Sequence, residues 1–145
     1  MQQLLIIFLG GGFGSVCRYI VSKFMTQQFE TTFPLGTFTV NVIGSFLIGV
    51  ILASIEKYQW DSIWAFLLVT GFCGGFTTFS TFAYENYLEF KSANYLTMFS
   101  YTFMSLLWGF AATWLGFLAI KKFRVVGETR SALPLRLAQS RLCQK

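Results

Sequence analysis

GFCGGFTTFSTF, residues Gly71–Phe82, sets three glycines and four hydroxyl-bearing residues in the middle of an apolar segment that runs from Ser62 to Tyr84. A backbone group without a hydrogen bond in hydrocarbon costs several kcal/mol, so a weakened helix at that depth is expected only where it faces protein, an ion or water. Gly71, Gly74 and Gly75 disfavour helix, and Thr77 and Thr78 are suited to cap a new one. The segment therefore reads as two half-helices meeting near the middle of a membrane span. Phe79 and Phe82, three positions apart, share a face of the second half, with Ser80 and Thr81 on other faces. Ring edges are electropositive and suit an anion, whereas carbonyls exposed at a break suit a cation. In an unbroken helix the two rings would read as plain packing; the adjoining break shifts that reading.

Working outward, the 145 residues are 54% hydrophobic, 19% aromatic and 12% charged, too apolar for an ordinary soluble domain. A spanning helix needs about 20 mostly apolar residues. Four such windows can be read, Gln3 to Phe24, Pro34 to Ile55, Ser62 to Tyr84 and Tyr95 to Ile120. The fold class is thus an all-α integral membrane protein with four transmembrane helices, the third broken near its middle. No cleavable signal is expected, since the first window is long, lacks a basic start and runs on into Arg18 and Lys23. Tyr58, Trp60 and Trp64 read as headgroup-level rings, and most of the 18 Phe as lipid-facing.

Cys17, Cys73 and Cys143 are widely spaced, and the chain has no His, which argues against structural zinc, haem and disulfide staples. Seven of the eleven basic residues lie beyond the fourth window, from Lys121 to Lys145. Residues 1–127 then form the four-helix domain and residues 128–145 a basic C-terminal tail, either disordered or a remnant foreign to the body. Within the body, Lys57 on one side faces Lys23 and Lys91 on the other, almost no orientation signal, so such a body can insert both ways.

The other spans carry polar faces. Gly10 and Gly14 form a GxxxG spacing that reads as close helix packing. Arg18, near the end of its span, can snorkel to the interface or guide an anion into a vestibule. Thr37, Asn41, Gly44, Ser45 and Ile48 make one small, polar face on the second span, where spacing alone favours Asn41 as interhelical glue over anion contact. Tyr101, Ser105, Gly109 and Thr113 recur at every fourth residue on the fourth span, a stripe that either relays an ion or bonds back to its own helix.

GTFTVNVIGSF (Gly36–Phe46) and GFCGGFTTFSTF, preceded by GGGFGSVCRY (Gly10–Tyr19), resemble the Fluc or CrcB-type fluoride channels, and the likeness runs through all four spans. The resemblance implies an antiparallel dual-topology homodimer in the inner (plasma) membrane, with two fluoride pathways and a structural sodium ion at the dimer interface. It also implies passive export of cytoplasmic fluoride, which reduces its toxicity. By motif, Gly74 and Thr77 match the residues whose carbonyls hold sodium, and Phe79 and Phe82 the rings lining the fluoride path. Asn41 matches the second-span pore amide, and Ser80 and Thr81 lie in the matching polar string. Tyr101, Ser105 and Thr113 resemble the hydroxyl track, and Arg18 the vestibule arginine. The near-neutral body agrees with dual insertion, while the basic tail works against it.

Rival classes have their own requirements. A proton-coupled dual-topology exporter needs a buried carboxylate in an early span, yet Glu30, Glu56, Asp61, Glu85, Glu89 and Glu128 read as loop or span-end residues. A cation channel stays open, since broken-helix carbonyls can conduct as well as bind. A membrane enzyme lacks any nucleophile–base or metal constellation.

Overall fold

In the computed structural model, which describes the backbone of residues 1–29 and 31–142 and the side chains of residues 1–29 and 31–121, the spans are helical except for a short break in the third. The elements are α1 (Gln2–Gln28), α2 (Leu35–Tyr58), α3 (Ser62–Trp64), a π-helix π1 (Ala65–Cys73), α4 (Gly74–Phe76), α5 (Phe79–Lys91) and α6 (Tyr95–Leu142). Four stretches are long and apolar enough to cross a membrane: Gln2–Gln28, Leu35–Tyr58, Ser62–Lys91 and Tyr95–Lys121. The chain is a multi-pass membrane protein. The reading of residues 128–145 as a separate tail falls outside the residues whose side chains are described.

The third span departs most from its expected bounds. It continues to Lys91 rather than stopping at Tyr84, because Glu85 and Glu89 end the apolar run without ending the helix. Glu85 is therefore a residue of the span, which corrects its placement in a loop or at a span end.

Glycine sets the packing. α1 lies against π1 and α4, and α2 against α6, as the two most extensive seams. A methyl group at Gly10 would collide with the Leu67 carbonyl, at Gly14 with that of Phe72, and at Gly75 with that of Gly11. In the other seam, Gly49 and Gly116 bring α2 and α6 to backbone contact at Thr113 and Phe46. Close backbone approach of this kind replaces the hydrophobic drive that lipid cannot supply. The GxxxG spacing of Gly10 and Gly14 is thus a packing motif, with π1 as its partner. No described glycine has a positive φ, so these residues serve by their missing side chains.

Two irregularities shape the third span. Through π1 the helix is widened by one residue per turn, and the Gly74 N–H reaches the Val69 carbonyl five residues back as well as that of Gly71. The helix then breaks at Thr77 (φ −79°, ψ 158°) and Thr78 (φ −149°, ψ 116°), both extended. Thr78 caps α5, its Oγ1 accepting from the Thr81 N–H at 3.3 Å. The break falls after the glycines, of which Gly71 and Gly75 are used for packing, and on the two threonines themselves.

Candidate functional site

An extended residue inside a membrane span must find new partners for its peptide groups. Thr78 finds them in one side chain of α2: its N–H donates to Asn41 Oδ1 at 2.8 Å, and its carbonyl accepts from Asn41 Nδ2 at 3.1 Å. Both ends of the Asn41 amide are engaged, so the residue glues α2 to the break, as its spacing suggested. One turn along α2, Gly44 leaves the space that the Thr77 methyl occupies.

These bonds liberate two carbonyls. In a continuous helix the Thr78 N–H would bond Gly74 O and the Thr81 N–H would bond Thr77 O. Here those donors go to Asn41 Oδ1 and Thr78 Oγ1, leaving both oxygens without their intrahelical partners. Arg18 Nη1 lies 3.4 Å from Thr77 O, and Ser15 Oγ 3.4 Å from Gly75 O. Arg18, half-buried, therefore points at the break rather than away to the interface.

Beside the break lies a cavity of about 280 Å³ lined by Asn41, Ser45, Thr77, Thr78, Phe82 and Ser105, with Phe79 at its edge. Phe79 is 79% exposed and its ring centroid lies 5.8 Å from that of Phe82. Phe82 is backed by Tyr101, at 5.0 Å between centroids. Ser105 Oγ is buried with no hydrogen-bond partner, a free donor and acceptor in the cavity wall. Ser80 and Thr81 are exposed, and their hydroxyls lie 3.3 and 3.0 Å from Thr78 Oγ1.

The expected α6 stripe divides by partner. Ser105 faces the cavity, whereas Thr113 Oγ1 lies 3.1 Å from the carbonyls of both Ser45 and Gly109, tying α6 to α2. Tyr101, fully buried, donates its hydroxyl to Glu85 Oε2 at 2.8 Å. The other carboxylate oxygen, Oε1, accepts from Thr37 Oγ1 at 2.7 Å. Sequence reading missed Glu85 as a member of this cluster. The available signal was its place three residues after Phe82, on the same helical face.

Chemically, the site offers hydroxyl donors, aromatic edges and freed carbonyls, set in a wall between helices. Such a surface can strip water from a small ion and replace it with fixed dipoles.

The family described as CrcB-like protein, Camphor Resistance (CrcB), matches residues 5–117. A protein of Gloeothece citriformis named fluoride-specific ion channel FluC is 54% identical over 122 residues, which cover 84% of this chain and 99% of that protein. Proteins of the same name from Leptospira interrogans and Ignicoccus hospitalis are each 42% identical, covering 84% and 80% of this chain and 97% and 93% of their own lengths. The matched region contains all but the first turn of α1, all of α2 and π1, the Thr77–Thr78 break and the cavity wall of α6, and on that footing the chain belongs to the CrcB family.

Proposed function

We propose that the protein is a fluoride-selective channel giving passive export of cytoplasmic fluoride, working as an antiparallel homodimer. The observation that carries this reading is the cavity beside the break, which Phe79, Phe82 and the unpartnered Ser105 hydroxyl line together. Fluoride is small and strongly hydrated, so a path for it must offer donors in place of water. A hydroxyl hydrogen and the positive edges of rings do so without a fixed positive charge that would trap the ion. Phe79, largely exposed in one protomer, is placed to be completed by a second copy.

Export needs no proton. Fluoride enters cells as neutral HF in acid surroundings and dissociates in a more alkaline cytoplasm, so an open pore lets the trapped anion leave down its gradient. Glu85, the carboxylate held beside Phe82 on α5, already accepts hydroxyl hydrogens at both its oxygens, from Thr37 and Tyr101.

The donor chemistry at the break also fits a structural sodium ion. Gly74 O and Thr77 O are hard oxygen ligands deprived of their helical donors, and carbonyl oxygen retains a second lone pair even where Arg18 approaches Thr77. Two carbonyls do not complete a cation's shell, so the same pair from a second copy is needed. Such an ion would pin the two breaks together.

Fluoride efflux from liposomes loaded with fluoride or with chloride tests the reading. Rapid fluoride efflux, little chloride efflux and no dependence on a pH gradient are expected. A sodium current in the absence of fluoride, or efflux driven by the proton gradient, would overturn it.

A further inference from the structure

Two adjacent residues of α5 are tied to two adjacent residues of α6. Glu85 accepts from the Tyr101 hydroxyl, and next to it Asn86 Oδ1 accepts from Thr102 Oγ1 at 2.8 Å. The other end of the Asn86 amide, Nδ2, donates to the Phe82 carbonyl at 2.9 Å. One side chain thus links α6 directly to the backbone of the residue whose ring walls the cavity.

Apart from these bonds, the Thr37–Glu85 bond to α2 and the Phe82–Tyr101 ring contact, α5 has few holds. None of its residues is fully buried, and its seams with α2 and α6 are thin beside those of α1 with π1 and α2 with α6. A thinly packed helix can turn about its axis at little cost in apolar contact. Any such turn swings Phe79 and Phe82 together, because they project from the same face. Hydrogen bonds, unlike dispersion contacts, are directional and weaken steeply with misalignment, so the pair resists rotation where packing does not. Polar pairs between spans ordinarily serve as glue. This one differs in acting through the carbonyl of Phe82 itself.

We propose that the Asn86–Thr102 pair is a positioning device that helps fix the rotational setting of α5 on α6, and with it the direction in which the Phe82 ring meets the cavity. Its consequence for permeation rests on the fluoride-channel reading; the placement of the ring does not.

The test uses the full chain in liposomes, with 4-fluorophenylalanine at position 82 read by fluorine NMR and ion efflux measured in parallel. Thr102→Val keeps the volume and removes the donor, whereas Thr102→Ser keeps the donor. Thr102→Val is expected to shift and broaden the Phe82 resonance and to cut fluoride efflux about tenfold, with Thr102→Ser close to wild type in both. Should Thr102→Val fail to fold, Asn86→Leu with Thr102→Val removes both partners, leaves no orphaned polar group, and should give the same two changes. A resonance that stays put in the folded variants overturns the proposal. A moved resonance with unchanged efflux overturns its consequence for permeation. If wild-type protein passes no fluoride yet the resonance still moves, the channel reading fails and the positioning role stands.

Discussion

Phe79 and Phe82 are held very differently, although they lie on one face. Phe79 is mostly exposed, while Phe82 is sandwiched between Phe79 and the buried Tyr101. Replacing either with Ile or Leu keeps the volume roughly and removes the electropositive edge, at a stability cost of under about 1.5 kcal/mol. Fluoride efflux should fall sharply in both, with dimers intact on gel filtration, and Tyr or Met should retain part of it; unchanged efflux would make the rings packing residues. Ser105→Ala breaks no hydrogen bond, because Oγ has no partner. Its unfolding free energy in detergent should change by less than about 0.5 kcal/mol while fluoride efflux drops; a destabilised variant with normal efflux would assign Ser105 to packing. The capping role of Thr78 could be read from composition alone. The partner of Asn41 could not, since Thr78 lies 37 residues away and amide glue can attach to any neighbour.

Elements meet here through missing side chains. Gly14→Ala would drive a methyl group into the Phe72 carbonyl, a backbone atom that cannot step aside, whereas at Gly109 the same methyl meets only Ser45 Oγ at 3.7 Å. Gly14→Ala should cost about 1–3 kcal/mol in the unfolding transition, and Gly109→Ala far less. Equal melting temperatures for the two would contradict the backbone seam between α1 and π1. Hydropathy alone located all four spans, and GxxxG spacing announced close packing. The π-helix left no trace in the sequence, because its bonds differ from those of an α-helix by one residue and demand no special composition. Glu85 was misplaced for a related reason: its charge ended the apolar window, while the helix held the carboxylate against Thr37 and Tyr101.

For the whole molecule the deciding property is orientation. Lys57 faces Lys23 and Lys91 across the body, Arg18 is turned in toward the break, and the other seven basic residues lie from Lys121 onward. Positive charge near span ends sets topology, so removing residues 121–145, which carry all seven of those charges, should leave a body that inserts in both directions in similar numbers. In a background without native cysteines, a single cysteine at the exposed position 62, on the same side as Lys57, should then be labelled partly from each side of the membrane. Labelling from one side only, with the tail removed, would rule out the antiparallel dimer for this chain. The near-neutral body was plain from the sequence; the surface that would join two copies was not, because lipid-facing and partner-facing Phe look alike.

The backbone seam between α1 and π1 also has a mechanical meaning. With backbones in direct contact at Gly10, Gly14 and Gly75, α1, π1 and α4 are the closely fitted part of the fold, while α5, beyond two extended residues and without a fully buried side chain, is the loosely held part. A bilayer thicker or thinner than the hydrophobic height imposes a deformation cost of a fraction of a kcal/mol per Å. That load concentrates where stiffness is least, at the Thr77–Thr78 hinge and in the tilt of α5. Acyl-chain length thereby becomes a tuning variable for the pore, acting on the aromatic wall from outside the protein.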